Sequence, residues 1–201
     1  MIIYLKEIGG SMIITISGRP CSGKSTIAKL IAQKHNFERI GVGDLFKEEA
    51  KRRGLSSEEF NALCMKDPSY DYYIDKQSET LGQKYDGQKY IFDSRLAWHF
   101  VPNSFKVFVT LDDDTMVERL LNSDREGKEK YQTAKEAKKS LKNRQTLETE
   151  RYKKLYNVDL YDMDNFDFVV DSSNKTPEEI VEIIMAEYEN YKNKNSASIQ
   201  Q

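Results

Sequence analysis

The sequence has little of what a secreted, membrane-spanning or metal-cluster protein needs. Its two cysteines, Cys21 and Cys64, cannot build a disulfide framework and show no metal-ligand spacing. No apolar run approaches the length that crosses a bilayer, and the run near the start is too short for a secretory signal. The 31 basic and 33 acidic residues nearly cancel, so net charge indicates neither a nucleic-acid nor a membrane partner. We therefore expect a cytoplasmic protein.

Length and composition are typical of one folded domain, here residues 1–201. Hydrophobic residues make up 38% and charged residues 32%, so the chain can bury a core and does not resemble a disordered protein. Five short apolar runs predict β-strands, and helical patterns lie between them. This alternation predicts an α/β fold with three layers (α/β/α) around a five-stranded parallel sheet. The predicted strands are residues 12–18, 37–43, 89–92, 105–111 and 166–170.

Helix start signals place the intervening helices. Asp113 is expected to cap one of them, and capping boxes at Ser56, Thr133 and Thr176 open three more. The predicted helices are residues 24–35, several segments of 44–85, residues 113–122, 133–156 and 176–191.

Four segments stand apart from this regular pattern. Residues 44–85 and 122–156 interrupt the alternation, and the polar tail at 193–201 is predicted to be loose. Residues 1–11 are a possible non-native extension, because Met12 restarts the chain directly before the first strand. The alternative is a genuine extension that adds local strand structure.

Residues 18–25 (GRPCSGKS) match the phosphate-loop pattern G-x-x-x-x-G-K-[ST] in full. The match follows a predicted strand and opens a predicted helix, so successive amides and the positive helix end can converge on phosphate oxygens. Lys24 is expected to reach the β- and γ-phosphates of ATP, and Ser25 to ligate Mg²⁺. The alternative is a turn that binds nothing. The predicted ATP-binding residues here are Gly18, Ser22, Gly23, Lys24, Ser25 and Thr26.

The third predicted strand ends in Asp93-Ser94-Arg95, and ligands of open α/β sheets bind beyond such strand ends. Asp93 is placed to hold Mg²⁺ through water, and Arg95 to grip an acceptor phosphate with two parallel hydrogen bonds. The alternative is an Asp helix cap followed by a surface Arg.

One face of the 133–156 helix has apolar ends and a charged middle. Since a simple core helix would not carry charges there, Glu148 is expected to orient Arg144 and Arg151 toward transferring phosphates. The alternatives are a solvated face with internal ion pairs, or an RNA-binding patch. Residues 128–154 hold ten basic and four acidic residues, but no interleaved stacking aromatics support RNA binding. The stripe consists of Ala137, Leu141, Arg144, Glu148, Arg151 and Leu155.

Together these features resemble the nucleoside monophosphate kinases, and most closely the cytidylate kinase family in its short form from archaea and some bacteria. A GTPase fits less well, because residues 174–177 lack the Asp of the guanine-reading N-K-x-D pattern. The resemblance extends from Met12 to about Tyr188, and its more specific parts are GDLFK (43–47), DSRLA (93–97) and the Arg–acid–Arg stripe. It implies a core (12–43, 86–121, 157–192), a nucleoside-monophosphate-binding insert (44–85) and a lid (122–156).

The resemblance also implies site roles. Lys24, Arg95, Arg144 and Arg151 would be catalytic, with the last two closing over the transferring phosphate. The implied acceptor site is Asp44, Lys47 and Arg95, and the implied further ATP contacts are Arg119, Arg125 and the adenine-contacting loop 172–175. Three residues depart from the family pattern: Lys47 stands where Arg is frequent, Val42 replaces a polar residue and Ser94 replaces a Gly.

The expected activity is transfer of the terminal phosphate of ATP to a nucleoside monophosphate, CMP or dCMP being the best candidates, with Mg²⁺ as cofactor. A P-loop kinase for AMP or another small metabolite is one alternative, and a non-enzymatic nucleotide-dependent RNA-binding protein is another. Neither a membrane nor a nucleic-acid partner is expected of the kinase, which is predicted to be a monomer or a weak homo-oligomer.

Overall fold

The computed structural model describes residues 13–82, 88–122, 131 and 133–198, and it confirms the predicted α/β fold. Within these ranges, strands and helices alternate as the sequence predicts. The strands are β1 (Ile13–Gly18), β2 (Glu38–Gly41), β3 (Tyr90–Asp93), β4 (Phe105–Thr110) and β5 (Phe168–Asp171). The helices are α1 (Lys24–His35), α2 (Val42–Arg52), α3 (Ser57–Lys66), α4 (Ser69–Gly82), α5 (Ala97–Phe100), α6 (Asp113–Leu121), α7 (Ala134–Tyr156) and α8 (Pro177–Ser198), with a 3₁₀ turn at Met163–Asn165.

The sheet has the order β2-β3-β1-β4-β5, and all of its neighbouring strands run parallel. β1 is the central strand, and the chain visits one side of it before it crosses to the other. In β1, Ile16 lies opposite Asp93 of β3, and Gly18 lies opposite Val109 of β4. The loop that follows β1 therefore emerges where the strand order reverses, which is where open parallel sheets bind ligands.

Apolar side chains cover both faces of the sheet, as the three-layer prediction requires. On one face, Ile14 and Ile16 are buried against α1 and α8. On the other face, Tyr90 and Phe92 pack against α5, and Phe108 packs against aromatic rings of the segment between α7 and β5. This double coverage explains why the strands read as continuous apolar runs.

Each of the two interrupting segments takes part in an apolar cluster separate from that of the central sheet. In the 44–85 insert, Ala50, Phe60 and Cys64 are buried together. Ala137 and Leu141 of α7 are buried against α6 and Leu111, so the apolar start of the predicted stripe faces the body of the protein. Capping boxes are present at Ser56 and Thr133 as predicted.

Several predicted boundaries were wrong. The cap of α6 is Asp112, whose side chain accepts a hydrogen bond from the Thr115 amide, so Asp113 is already inside the helix. β2 ends at Gly41 rather than at residue 43, because α2 begins at Val42. β5 begins two residues late because Phe166 packs against Trp98 and Phe108 before the strand starts.

The last helix is longer than predicted. α8 continues to Ser198, through residues 193–198 where a loose tail was expected. No Gly or Pro interrupts that segment, and either would disfavour helix. Residues 1–12, and with them the question of translation from Met12, lie outside the described residues. In the described ranges, no helix is both long and apolar enough to cross a bilayer.

Candidate active site

The loop between β1 and α1 has the backbone shape that a phosphate loop needs. Gly23 precedes α1 with a φ of 82°, a left-handed conformation that glycine adopts without strain. The Arg19 amide donates to Val109 O at 3.1 Å, and the Arg19 side chain donates to Leu111 O at 2.6 Å and Asp113 at 2.5 Å. Arg19 thus ties the loop to the end of β4, and the rest of the loop leads into the first turn of α1.

Lys24 and Asp93 meet at the centre of the site. The Lys24 ammonium donates to one oxygen of the Asp93 carboxylate, whose side chain is 2% exposed. Burial lowers the pKa of Lys24, and Asp93 partly offsets that effect. Burial alone would raise the pKa of Asp93, but Lys24, Arg39 and the Ser25 hydroxyl hold it below its ordinary value. Asp93 is therefore a buried, ionised carboxylate that faces the phosphate loop.

The Asp93-Ser94-Arg95 run does not have Asp93 as a helix cap, which was the alternative interpretation. The cap residue of the short α5 is Leu96, and the Ser94 hydroxyl accepts hydrogen bonds from the Leu96 and Ala97 amides at 3.1 and 3.2 Å. The carbonyl of Arg95 accepts from Ser17 Oγ at 3.0 Å. These hydrogen bonds hold the backbone around Arg95 in place, and so position the base of its side chain.

The Arg95 side chain forms an ion pair with Glu148 of α7. Glu148 was predicted to orient Arg144 and Arg151, and no sequence pattern indicated its contact with Arg95. The side chain of Arg144 lies outside the described residues. The pair joins the end of β3 to the predicted lid helix, so the acceptor-side arginine and the charged stripe lie together.

Arg151 faces the same region. Its guanidinium lies 5.6 Å from the ring centre of Tyr152. Burial raises the pKa of Tyr152, and Arg151 and Arg95 both act against that rise. Arg151 similarly opposes the burial-driven rise in the pKa of Cys64 on α3. The guanidinium thus lies near Tyr152 of its own helix and close to α3 of the insert.

A second group of predicted ATP contacts surrounds a cleft of about 220 Å³ beside the phosphate loop. Arg119 donates to the Ser172 carbonyl at 2.6 Å and to the Ser172 hydroxyl at 3.1 Å, so α6 is tied to the loop after β5. Arg125 lies outside the described residues. The walls of the cleft include Cys21, Gly23, Thr26, Ile27, Arg119, Ser172, Lys175 and Pro177.

The predicted acceptor side contains Asp44 and Lys47 of α2 and a further cation from β2. Lys47 is on α2 with its side chain 71% exposed, and its ammonium is 3.9 Å from Asp44. Arg39 of β2, which sequence reasoning missed, reaches Asp44 at 2.8 Å and Asp93 at 2.5 Å. The signal that could have pointed to Arg39 is a charged residue inside a short predicted strand of a parallel sheet.

Ser25 and Asp93 are suited to Mg²⁺. A serine hydroxyl and a carboxylate supply the hard oxygen ligands that this ion prefers, and the ion usually takes its remaining ligands from phosphates and water. The described residues contain no cluster of three or more His, Cys, Asp or Glu that could hold a metal without such help.

Comparison with known proteins agrees with this geometry. Residues 13–174 match the model of the cytidylate kinase-like family. The chain belongs to this family. The cytidylate kinase of Methanosarcina barkeri is 34% identical over 176 residues, which cover 86% of this chain and 94% of the relative. That of Methanocaldococcus jannaschii is 31% identical over 182 residues, covering 90% and 99%. The resemblance to short archaeal cytidylate kinases is thereby confirmed.

Solved structures support the fold of this cytidylate kinase-like chain. An uncharacterized protein from Eubacterium ventriosum aligns with a TM-score of 0.64 and 18% identity, over 88% of this chain and 97% of its own. A shikimate kinase from Bacteroides thetaiotaomicron aligns with a TM-score of 0.59 and 15% identity, over 88% and 98%. At such identities the match shows the fold and not the substrate.

Proposed function

We propose that this protein transfers the γ-phosphate of ATP to CMP or dCMP. Its archaeal relatives are named cytidylate kinases, and the matches cover 94% and 99% of the length of those relatives. The observation that carries the proposal is the contact of Lys24 with Asp93, which ends β3 two residues before Arg95. The phosphate loop and the acceptor-side arginine would therefore serve one cleft.

The donor side is proposed to hold ATP along α1. The triphosphate would lie on the amides of the phosphate loop, and Lys24 would exchange its contact with Asp93 for the β- and γ-phosphates. The cleft beside Arg119 would take the adenine ring, because it is the described cleft that adjoins both the phosphate loop and the loop after β5. Bound Mg²⁺, held by Ser25 and through water by Asp93, would neutralise phosphate charge.

The acceptor side is proposed to lie between Arg95, the insert and α7. Arg95 would grip the acceptor phosphate, and Glu148 would keep its guanidinium in place. Arg151, and Arg144 from the same helix face, would close over the transferring group. In-line attack by an acceptor phosphate oxygen needs no general base, because that oxygen is already anionic. The protein's task is alignment, charge neutralisation and exclusion of water.

The alternative functions and the remaining predicted properties have less support. Kinase activity toward AMP or another metabolite, and RNA binding without catalysis, are not favoured by the names of the relatives. The cytoplasmic location and the monomeric or weakly oligomeric state stay predictions.

A coupled assay of ADP release tests the proposal directly. With Mg²⁺ and ATP present, the acceptors CMP, dCMP, UMP, AMP and shikimate are compared at equal concentration. We expect CMP and dCMP to stimulate ADP release most. Stimulation by shikimate alone, or by none of the nucleotides, would contradict the proposal.

A lysine pair on one helix supplies the control for that assay. Lys24→Ala should abolish acceptor-dependent ADP release, since no other residue would replace its charge on the β- and γ-phosphates. Lys29→Ala removes an exposed lysine from the same helix and should leave turnover near the wild-type value. Equal turnover in both variants would separate the observed activity from this site.

A further inference from the structure

Arg39 occupies the junction between the donor and acceptor sides. It lies on the edge strand β2, opposite Ile91, and its side chain crosses toward the end of β3. One terminal nitrogen donates to Asp93 at 2.5 Å and the other donates to Asp44 at 2.8 Å. Asp93 belongs to the phosphate-loop side and Asp44 begins the predicted acceptor side, so a single guanidinium spans both.

Two cations share one buried carboxylate at this junction. Lys24 and Arg39 both pair with Asp93, and Arg39 also pairs with the exposed Asp44. If Lys24 turns to ATP, Arg39 keeps its contact with Asp93 beside the cleft. Its Nε is buried and finds no hydrogen-bond acceptor among the described residues. A buried donor without a partner is destabilising, so a shift of the side chain that brought Nε to a phosphate oxygen would be favourable.

Lys47 is the more loosely held of the two candidate cations. Its side chain is 71% exposed, and its ammonium is 3.9 Å from the Asp44 carboxylate, which is 53% exposed. A lysine also presents a point charge, whereas a guanidinium presents parallel donors that match two phosphate oxygens. The Arg39 side chain is 18% exposed and held by two carboxylates, so its fork is already oriented.

Gly41 leaves the space that Arg39 needs. A Cβ on residue 41 would lie 2.8 and 2.9 Å from the two terminal nitrogens of Arg39, and closer still to a carboxylate oxygen of Asp44. Any larger residue would therefore push the guanidinium from its present place. The backbone of Gly41 is ordinary extended chain, with φ of −91°, so alanine would act through this contact and not through backbone strain.

We propose that Arg39 binds the phosphate group of the acceptor nucleotide and provides, beside Arg95, a second guanidinium where Lys47 offers only a point charge. The inference rests on the proposed function, since it concerns the acceptor of that reaction. A purely structural role for Arg39 would be to hold Asp93 in place for the donor side. The two roles predict different ligand dependence.

Calorimetric binding of CMP, cytidine and Mg²⁺–ATP to Arg39→Met separates them. We expect CMP to bind about 10- to 100-fold more weakly, the loss typical of hydrogen bonds to a charged group. Cytidine, which lacks the phosphate, and Mg²⁺–ATP should each bind within about twofold of wild type. Arg39→Lys should recover part of the CMP affinity. Lys51→Met, an exposed change on α2, serves as the matched control and should change none of the three.

Gly41→Ala gives a second variant that keeps Arg39 itself, and it should weaken CMP binding while sparing cytidine. Equal weakening of CMP and cytidine would overturn the inference, as would weaker Mg²⁺–ATP binding with unchanged CMP affinity. If wild type binds another nucleoside monophosphate but not CMP, the proposed specificity fails and the comparison is made with that nucleotide and its nucleoside. If wild type binds no monophosphate, the proposed function and this inference both fail. If it binds CMP and Arg39→Met binds it equally well, the inference alone fails.

Discussion

Replacing Asp75 with Asn should remove a pH-dependent part of the protein's stability. Asp75 lies on α4 of the insert and is 9% exposed. Its carboxylate accepts a hydrogen bond from the Tyr156 hydroxyl, at the end of α7, at 2.5 Å. Burial raises the pKa of Asp75 to about 6 from an ordinary 3.8, although the Tyr156 hydrogen bond works in the opposite direction. Tyr152 is a further titratable neighbour of Asp75, and His99, whose pKa burial lowers, packs with Tyr72 around Tyr156.

The sign follows from proton binding in the two states. Because the folded state holds the Asp75 proton up to about pH 6 and the unfolded state loses it near 3.8, stability falls as pH rises between those values. A shift of this size corresponds to about 3 kcal/mol, since each pKa unit is about 1.4 kcal/mol. About half of that lies between pH 5 and pH 8. Asp75→Asn cannot ionise and should lack this dependence.

Urea unfolding at pH 5, 6, 7 and 8 measures the effect. Subtracting the curve of Asp75→Asn cancels His99 and other shared groups. The free energy of unfolding of wild type relative to the variant should fall by about 1.5 kcal/mol across this range. Tyr156→Phe removes the hydrogen bond that stabilises the ionised form, so it should move the midpoint to higher pH. A flat difference curve, or one that rises with pH, would refute the reasoning.

Three further predictions concern the nucleotide sites. Arg151→Ala should lower kcat by roughly two to four orders of magnitude, by analogy with an arginine finger. Lys154→Ala, which changes an exposed residue of the same helix, should leave kcat unchanged. A near-normal kcat in Arg151→Ala would contradict the lid assignment. Arg119→Met should weaken ATP binding about tenfold and spare CMP, measured by calorimetry, because it opens the cleft beside the phosphate loop. ATP should slow alkylation of Cys21, which lines that cleft, while buried Cys64 stays unreactive with or without ATP. Mass spectrometry of both cysteines measures this, and equal labelling of Cys21 with and without ATP would contradict it.

Features set by neighbouring residues were predictable from the sequence. The phosphate loop, its flanking strand and α1, and the capping boxes at Ser56 and Thr133 depend on patterns a few residues long, and the structure has them where they were expected. The five-stranded parallel sheet followed from the alternation of elements. The cap of α6 was misplaced by one residue because Asp112 and Asp113 are adjacent candidates, and only the backbone angle of Asp112 decides between them.

Contacts between distant residues were not predictable in the same way. The Arg95–Glu148 pair joins residues more than fifty positions apart, and so does the pair of Arg39 with Asp93. Which carboxylate a given arginine meets depends on how the insert, the sheet and α7 pack, and no local pattern encodes that packing. Sequence patterns pointed to Asp93, Arg95 and Glu148, but they missed Arg39 and did not assign the partner of any of these residues.

Transfer of a labelled phosphate is the most direct test of the central claim that one cleft joins donor and acceptor. The protein is incubated with Mg²⁺, CMP and ATP carrying a radioactive γ-phosphate, and the nucleotides are separated. The account predicts label in the β-phosphate of CDP, and none there with Lys24→Ala. Label found only in inorganic phosphate would show hydrolysis without transfer and would contradict the account.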